Sequence, residues 1–164
     1  MGPINSFRLT SLVLDGVALR TELADYRSGG YVCFEGWVRN HNEGLRVTRL
    51  DYEAFAPLAL REGERVMSEA RDRYGLTGGL CVHRVGALEL GDIAVWVGVA
   101  APHRDEAFRA NRYIIDEVKH RLPIWKKEHY ENGDSGWVNC ERCANTATLG
   151  SAGAHSHGSH AHKR

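Results

Sequence analysis

Two lysines near residue 120 have surroundings that suggest proton transfer or anion binding. Lys119 lies at the edge of the apolar arc of a predicted helix, so its stem would follow apolar surface and its ammonium would reach the rim of a pocket. The alternative is an ordinary surface lysine. In an extended segment, Lys126 shares a face with Ile124 and Glu128, an arrangement that suits proton transfer. The alternative here is an exposed strand edge, where lysines are common.

Three more cationic side chains are candidates for binding an anion. His103 and Arg104 stand at the start of the same predicted helix, beside its free N–H groups, and the guanidinium offers a fork for phosphate. A solvated helix cap is the alternative. Arg39 ends a predicted strand and shares a face with Glu35 and Trp37, although most surface arginines bind nothing. If the fold brings the five cations together, the pocket would bind a compact phosphorylated substrate; they are Arg39, His103, Arg104, Lys119 and Lys126.

Hydrophobic periodicity predicts a mixture of strands and helices without a regular βαβ rhythm, which favours an α+β fold. The segments 31–39 and 45–53 are predicted to pair as a hairpin around the turn 41–44. The remaining predicted elements are strands over 7–14, 80–86 and 93–100, helices over 16–26, 57–74 and 104–122, and a C-terminal hairpin over 124–140.

Composition excludes several classes of protein. The 164 residues fit one domain, which we assign to residues 1–143, followed by a flexible Ala/Gly/Ser/His-rich tail over 144–164. Acidic and basic side chains balance at 21 each, so the chain has no overall basic field for nucleic acid. No apolar stretch approaches the ~20 residues of a membrane span, and no secretory signal is evident. Few cysteines then predict a cytoplasmic protein with reduced thiols, in which Cys33 and Cys81 belong to the core.

Two alternative functions remain open. Cys140 and Cys143 form a CxxC motif that could bind zinc with histidines of the tail, namely His155, His157, His160 and His162. Because those ligands would come from a flexible segment, we predict neither a metal nor another cofactor. The second alternative is a non-enzymatic module that binds an anion or a partner's C-terminal tail, and it would need Arg39 and Arg104 but not Lys119.

An ordered series of motifs resembles the catalytic (large) subunit family of molybdopterin synthase over residues 7–139. The motifs are FEGWVRNHNEG, LDYEAF, HRVG, VGVAAPHRDEAF, VKHRLPIWKKE and GxxGW. The resemblance implies an α+β fold in which a hammerhead-like portion packs with an antiparallel sheet. It also implies a sulfurtransferase of molybdenum cofactor biosynthesis that converts cyclic pyranopterin monophosphate to molybdopterin. The sulfur would come from the C-terminal thiocarboxylate of a small ubiquitin-like carrier, and two large subunits with two carriers would form a heterotetramer.

The resemblance also implies roles for individual residues. Lys119 and Lys126 match the family's two catalytic lysines. The matched substrate-binding positions are Trp37, Val38, Arg39, His103, Arg104, Lys127 and Glu128. The family has an arginine soon after the last tryptophan that reaches the neighbouring protomer's site. Here Glu141 occupies the aligned position, and Arg142, one residue further on, is the candidate to replace it.

Overall fold

A computed structural model of the chain describes residues 4–139, which form nine strands and three helices. In chain order these are β1 (Asn5–Thr10), α1 (Gly16–Thr21), β2 (Gly30–Trp37), β3 (His41–Asn42), β4 (Leu45–Ala54), α2 (Ala56–Tyr74), β5 (Gly78–Arg84), β6 (Gly86–Leu88), β7 (Ile93–Ala101), α3 (Arg104–Arg121), β8 (Ile124–Tyr130) and β9 (Ser135–Asn139). The predicted first strand and first helix are therefore shorter than expected. Asp15 caps α1 by accepting from the backbone amides of Val17 and Ala18.

The first sheet has the strand order β1-β5-β7-β2, in which only the β1–β5 pair is parallel. Helices α2 and α3 pack on one face of this sheet, and α1 with the residues after it covers part of the other. Strand β5 and nearly all of β7 are buried along their whole length, as expected for strands covered on both faces. The main core lies between the sheet and the two long helices.

The apolar faces predicted for the long helices are confirmed. The buried residues of α2 and α3 fall on the expected arcs, since burial follows the 3.6-residue period. Gly63 lets α2 approach β1 closely, because a Cβ at this position would lie 2.2 Å from the ring of Phe7. Gly75 ends the helix in the left-handed conformation, with φ of 63°.

The second sheet is antiparallel, with the order β3-β4-β8-β9 and β6 added beside β4. The predicted pairing of 31–39 with 45–53 is wrong, since β2 pairs with β7 and β4 pairs with β8. The register shifts between Gly36 and Trp37, and Val38 then turns inward at 3% exposure, which carries the chain from one sheet to the other. The turn at Glu43 and Gly44, both with positive φ, instead closes the short β3–β4 hairpin.

Two packed portions thus make an α+β fold, and both the predicted fold class and the predicted C-terminal hairpin β8–β9 are confirmed. A small apolar cluster of Val38, Leu50, Leu88 and Ala94 joins the sheets. Within residues 4–139, none of the helices has the length and apolarity that crossing a membrane demands. The predictions made for Cys140, Glu141, Arg142, Cys143 and the tail over 144–164 lie outside the described residues.

Candidate active site

The register of β8 turns Lys126 and Glu128 toward the inside of the second sheet. Ile124 and Glu128 are buried on that face, and Lys126 lies between them, as the alternation of a strand predicts. The Lys126 Nζ lies 2.7 Å from Glu128 Oε1, and only 13% and 5% of the two side chains are exposed. The pairing predicted from the sequence therefore exists, and it is a buried ion pair rather than a solvated strand edge.

Glu128 is held in its ionised form by three donors. Its Oε2 accepts from Asn42 Nδ2 at 2.7 Å and from the hydroxyl of Tyr130, while Oε1 accepts from Lys126. Burial opposes the charge on Glu128, but the hydrogen bonds outweigh burial and lower the pKa of this carboxyl. Asn42 was predicted only as part of a turn, so its role as a ligand of Glu128 is new information from the fold.

Arg39 joins the same group of side chains through Asn42. Its guanidinium donates to Asn42 Oδ1 at 3.1 Å, so one amide side chain connects Arg39 to Glu128. Trp37 is largely exposed and donates from Nε1 to Glu35. Val38 has a buried side chain, and its amide and carbonyl bond to Asp92 and Gly91. Burial and these two backbone hydrogen bonds hold Val38 in place, and this fixes the backbone of Trp37 and Arg39 on either side.

Lys119 projects from α3 on the side of the helix that faces β2. Asn111, two turns earlier, sets the rotation of the helix by donating to the carbonyls of Val32 and Val97. Lys119 is exposed and lines a groove of about 400 Å³ between β2 and α3, together with Val32, Cys33, Phe34, Phe108, Asn111, Arg112, Ile115 and Asp116. Cys81 is buried as expected, but the prediction that Cys33 is core is wrong, because Cys33 lies on the open wall of this groove.

Tyr52 and His83 lie next to Lys126 on the inner side of the second sheet. Tyr52 lies directly opposite Lys126 in the β4–β8 register, and cross-strand partners share a face of the sheet. The Tyr52 ring meets the His83 ring edge-on, with centroids 5.0 Å apart. Burial is the main reason that the pKa of His83 is lowered, and the positive charge of Lys119 lowers it further. Sequence reasoning missed both residues. His83 was a detectable signal, because it directly follows the apolar strand residues Leu80–Val82.

His103 and Arg104 lie far from the lysines of the same chain. They are exposed at the start of α3, where Gly30 allows β2 to approach the helix terminus closely. Lys119 follows Arg104 by fifteen residues on the same helix, so the rise of 1.5 Å per residue separates them by about 22 Å along the axis. The structure therefore connects Arg39 with Lys126 through Asn42 and Glu128, but it does not bring His103 and Arg104 to Lys119.

Lys127 points to the opposite face of β8 from Lys126. Its ammonium lies 5.7 Å from the centre of the Trp137 ring on β9, a cation–π contact on the outer face of the second sheet. Lys127 and Glu128 are thus neighbours in sequence but lie on different faces. Among the residues that the structure describes, no group of three or more His, Cys, Asp or Glu side chains is placed to hold a metal ion.

The site has one buried carboxylate, Glu128, which pairs with Lys126 and is connected to Arg39 through Asn42. The ion pair of Lys126 and Glu128 leaves Arg39 and Lys119 with positive charge available to an anionic ligand. An ammonium at the end of a groove can also stabilise an oxyanion or transfer a proton. This chemistry suits acid–base catalysis on an anionic substrate.

Comparisons with known proteins agree with this chemistry. The family model described as MoaE protein matches residues 9–121. The molybdopterin synthase catalytic subunit of Synechococcus elongatus is 49% identical over 119 residues, which are 71% of this chain and 72% of that protein. The X-ray structure of molybdopterin synthase from Staphylococcus aureus is 34% identical, with a TM-score of 0.74 over 79% of this chain and 94% of that chain.

A more distant structure shares the fold alone. It is the complex of subunits 1 and 2 of the molybdopterin-converting factor from Helicobacter pylori, which is 20% identical with a TM-score of 0.66 over 81% of this chain and 88% of that chain. The family match spans most of the described residues, and the Synechococcus subunit is similar over a comparable length. The chain therefore belongs to the MoaE family of molybdopterin synthase catalytic subunits.

Proposed function

We propose that this chain is the catalytic subunit of a molybdopterin synthase, a sulfurtransferase that converts cyclic pyranopterin monophosphate to molybdopterin. The observation that carries the proposal is the buried ion pair of Lys126 and Glu128, which Asn42 connects to Arg39. Two of the proteins named above support it, because the Synechococcus relative is a molybdopterin synthase catalytic subunit and the Staphylococcus structure is a molybdopterin synthase.

The sulfur donor is the C-terminal thiocarboxylate of a small ubiquitin-like carrier. In each transfer one sulfur enters the substrate and one oxygen leaves with the carrier, whose terminus becomes a carboxylate. The groove between β2 and α3 supports this proposal, since it is open to solvent and has Lys119 in its wall. Lys119 stabilises the oxyanion that forms when the acyl carbon is attacked. Lys126 is the second acid–base group, and Arg39 binds the substrate phosphate.

A second copy of the chain completes the site. The separation of about 22 Å along α3 keeps Arg104 away from a substrate held at Lys119 of the same chain. His103 and Arg104 are both exposed, so a neighbouring copy can use them. The Helicobacter pylori structure is a complex of two kinds of subunit. We therefore propose a homodimer with one carrier at each end, in which Trp37 and Lys127 contact the substrate or the partner.

Reconstitution with thiocarboxylated carrier and cyclic pyranopterin monophosphate tests the proposed reaction. Wild type should form molybdopterin, whereas Lys119→Ala should bind the carrier and lose at least about a hundredfold in turnover, as expected for loss of an oxyanion-stabilising group. Arg109→Ala is the matched control, because it removes an exposed cation from the same helix away from the groove. Equal turnover by Lys119→Ala would exclude the catalytic role of this lysine. Carrier binding by wild type without turnover would favour a non-enzymatic binding module.

Mixing inactive variants tests the second copy. Lys119→Ala and Arg104→Ala homodimers should both be impaired. When the two are unfolded together and refolded, mixed dimers should regain one complete site, and the activity should rise above that of either parent. No recovery in demonstrated mixed dimers would contradict a site shared between protomers.

A further inference from the structure

A buried arginine at the end of β5 is connected, through a short turn, to the segment that carries Arg39. Arg84 belongs to the HRVG motif, for which the proposed reaction gives no role, and it is 8% exposed. Its Nη1 lies 2.8 Å from Asp92 Oδ2, and its Nη2 donates to the carbonyl oxygen of Ala87 at 3.3 Å. The guanidinium therefore connects β5 of the first sheet to β6 of the second sheet and to the turn before β7.

The turn over residues 89–92 is organised by the Asp92 carboxylate. Asp92 Oδ2 accepts from Arg84 and also from the backbone amide of Glu89 at 3.0 Å. The Asp92 amide donates to the Glu89 carbonyl at 3.1 Å, and Gly91 has a φ of 84°, which its lack of a Cβ permits. Because the bond from Arg84 joins two charged groups, it fixes the carboxylate on which the conformation of the turn depends.

This turn holds Val38 by both of its backbone polar groups. The Val38 amide donates to the Asp92 carbonyl at 3.0 Å, and the Gly91 amide donates to the Val38 carbonyl at 2.8 Å. The Val38 side chain is buried in the apolar cluster that joins the sheets. The next residue is Arg39, which binds the substrate phosphate in the proposed reaction. The backbone from which Arg39 projects is therefore set by the turn that Arg84 fixes.

Stability alone is a poor explanation for Arg84. A buried ion pair often adds no net stability compared with apolar side chains of similar volume, because both charges lose their hydration. Within residues 4–139, Arg84 Nε is buried and has no hydrogen-bond partner, which makes the burial of this guanidinium less favourable still. What the planar group provides is geometry, since it holds acceptors from two separate segments at fixed positions.

We propose that Arg84 is a positioning residue for substrate binding: through the turn 89–92 it holds Arg39 where that side chain meets the substrate phosphate. The inference rests on the proposed function, because Arg39 binds the phosphate there. Arg84 contacts no substrate in this scheme. Its loss should therefore weaken the binding of substrate and leave the chemical step largely unchanged.

Arg84→Met removes the guanidinium and fills most of its volume. In the assay with thiocarboxylated carrier, we expect KM for cyclic pyranopterin monophosphate to rise at least about tenfold, with kcat within about threefold of wild type. Arg84→Lys keeps a cation that can reach Asp92 and should recover most of the wild-type KM. Arg109→Met is the matched control, because Arg109 is an exposed cation outside the site; both constants should stay within about twofold of wild type.

A purely structural arginine gives a different result. It would lower the melting temperature of Arg84→Met while the folded variant kept the wild-type KM, and that result would overturn the proposal. If Arg84→Met does not fold, Asp92→Asn weakens the same ion pair from its more exposed side, since 28% of the Asp92 side chain is exposed against 10% for Arg84. An unchanged KM in folded Asp92→Asn would equally overturn the proposal.

Arg39→Ala tests whether Arg84 acts through Arg39. Adding Arg84→Met to Arg39→Ala should raise KM by no more than about twofold beyond Arg39→Ala alone, because the group to be positioned is already absent. If the two effects instead multiply as independent changes do, the route through Arg39 is wrong.

Amide hydrogen exchange measured by NMR gives a readout that does not need turnover. We expect the Val38 and Gly91 amides to exchange at least about tenfold faster in Arg84→Met than in wild type, and amides of β5 to change less, because the turn opens locally. Equal changes at the turn and in β5 would show only a loss of global stability and would overturn the proposal. Lack of turnover by wild type would overturn the proposed function, while the exchange rates would still decide whether Arg84 holds the turn.

Discussion

Two ion-pair clusters of this fold differ in how deeply they are buried. In the first, Lys126 on β8 pairs with the buried Glu128 beside Asn42 of β3. In the second, Arg121 at the end of α3 binds Glu62 and Glu69 of α2 at 3.2 and 2.6 Å. Both clusters use the same kind of bond, yet they differ in burial, since the Glu128 side chain is 5% exposed whereas those of Glu62 and Glu69 are 18% and 44% exposed.

The balance of charge separates the two roles. Glu62, Glu69 and Glu117 all contact Arg121, so anions outnumber the cation; the hydrogen bond to Glu69 is the main reason that the pKa of Arg121 is raised. Such a cluster holds two helices together and offers nothing to an anionic ligand. At the sheet joint, the single buried carboxylate of Glu128 pairs with Lys126, and Arg39 joins them through Asn42, so two cations share one anion. Excess positive charge, more than the presence of an ion pair, therefore distinguishes the candidate site from the helix-packing cluster.

Lys126→Ala should have the largest effect of any change in either cluster. We expect turnover to fall at least about a hundredfold, because an acid–base group is lost. The free energy of unfolding should also fall by about 3 kcal/mol, because Glu128 is left buried without its cation. Turnover in the reconstituted assay and urea unfolding measure the two effects.

A double variant checks the cause of each loss. Lys126→Ala combined with Glu128→Gln removes the unpaired charge, so stability should recover while turnover stays low. Recovery of turnover in the double variant would show that Lys126 only neutralises Glu128.

Acid should lower the free energy of unfolding through the protonation of His83. The pKa of this residue is about 4 in the folded protein because it is buried, against an ordinary value of about 6.5. Between these values the unfolded chain binds the proton and the folded chain does not, so the free energy of unfolding falls as the pH drops from 6.5 toward 4. The slope of 1.36 kcal/mol per pH unit gives a loss of about 2 kcal/mol by pH 5.

Urea unfolding of wild type and His83→Asn near pH 7.5 and pH 5 measures this contribution. The variant should lack the His83 part of the pH dependence. Glu128, whose pKa is lowered, contributes stability that is lost only at lower pH, as its folded pKa is passed. The same pH dependence in both proteins would show that His83 is not the neutral buried group described here.

Arg121→Ala should have the smallest effect on function. Its bonds to α2 are partly exposed, so we expect a loss of about 1–2 kcal/mol in the free energy of unfolding. Turnover should remain within about twofold of wild type, because ion pairs outside the site act on stability alone. A large loss of turnover in a folded Arg121→Ala variant would mean that the helix packing and the site are coupled.

Much of the fold could be predicted from local pattern. The buried faces of α2 and α3, the C-cap at Gly75 and the inward alternation of Ile124, Lys126 and Glu128 depend on periods that the sequence displays directly. The pairing of β2 with β7 could not be predicted this way, since it joins segments about sixty residues apart. The predicted turn at 41–44 led to the wrong pairing of β2 with β4, because both segments have the composition of strands and lie on either side of it.

The residues of the site also divide into those that local pattern predicts and those that only tertiary contacts reveal. Lys119 and Lys126 could be singled out from helix and strand geometry, together with the resemblance to the family. Asn42 and His83 could not, because their partners Glu128 and Tyr52 are brought to them by tertiary contacts between distant segments. The distance between Arg104 and Lys119 was implicit in the length of α3, yet its meaning depends on a second copy of the chain.

A structure of the complex with the small carrier tests the central claim most directly. We expect the carrier tail to lie in the groove between β2 and α3. Its terminal glycine should end within hydrogen-bonding distance, about 3 Å, of Lys119 Nζ. Lys126 and its partner Glu128 should lie beside the bound substrate. A tail that ends elsewhere, with Lys119 facing solvent, would contradict the proposed role of Lys119 in sulfur transfer.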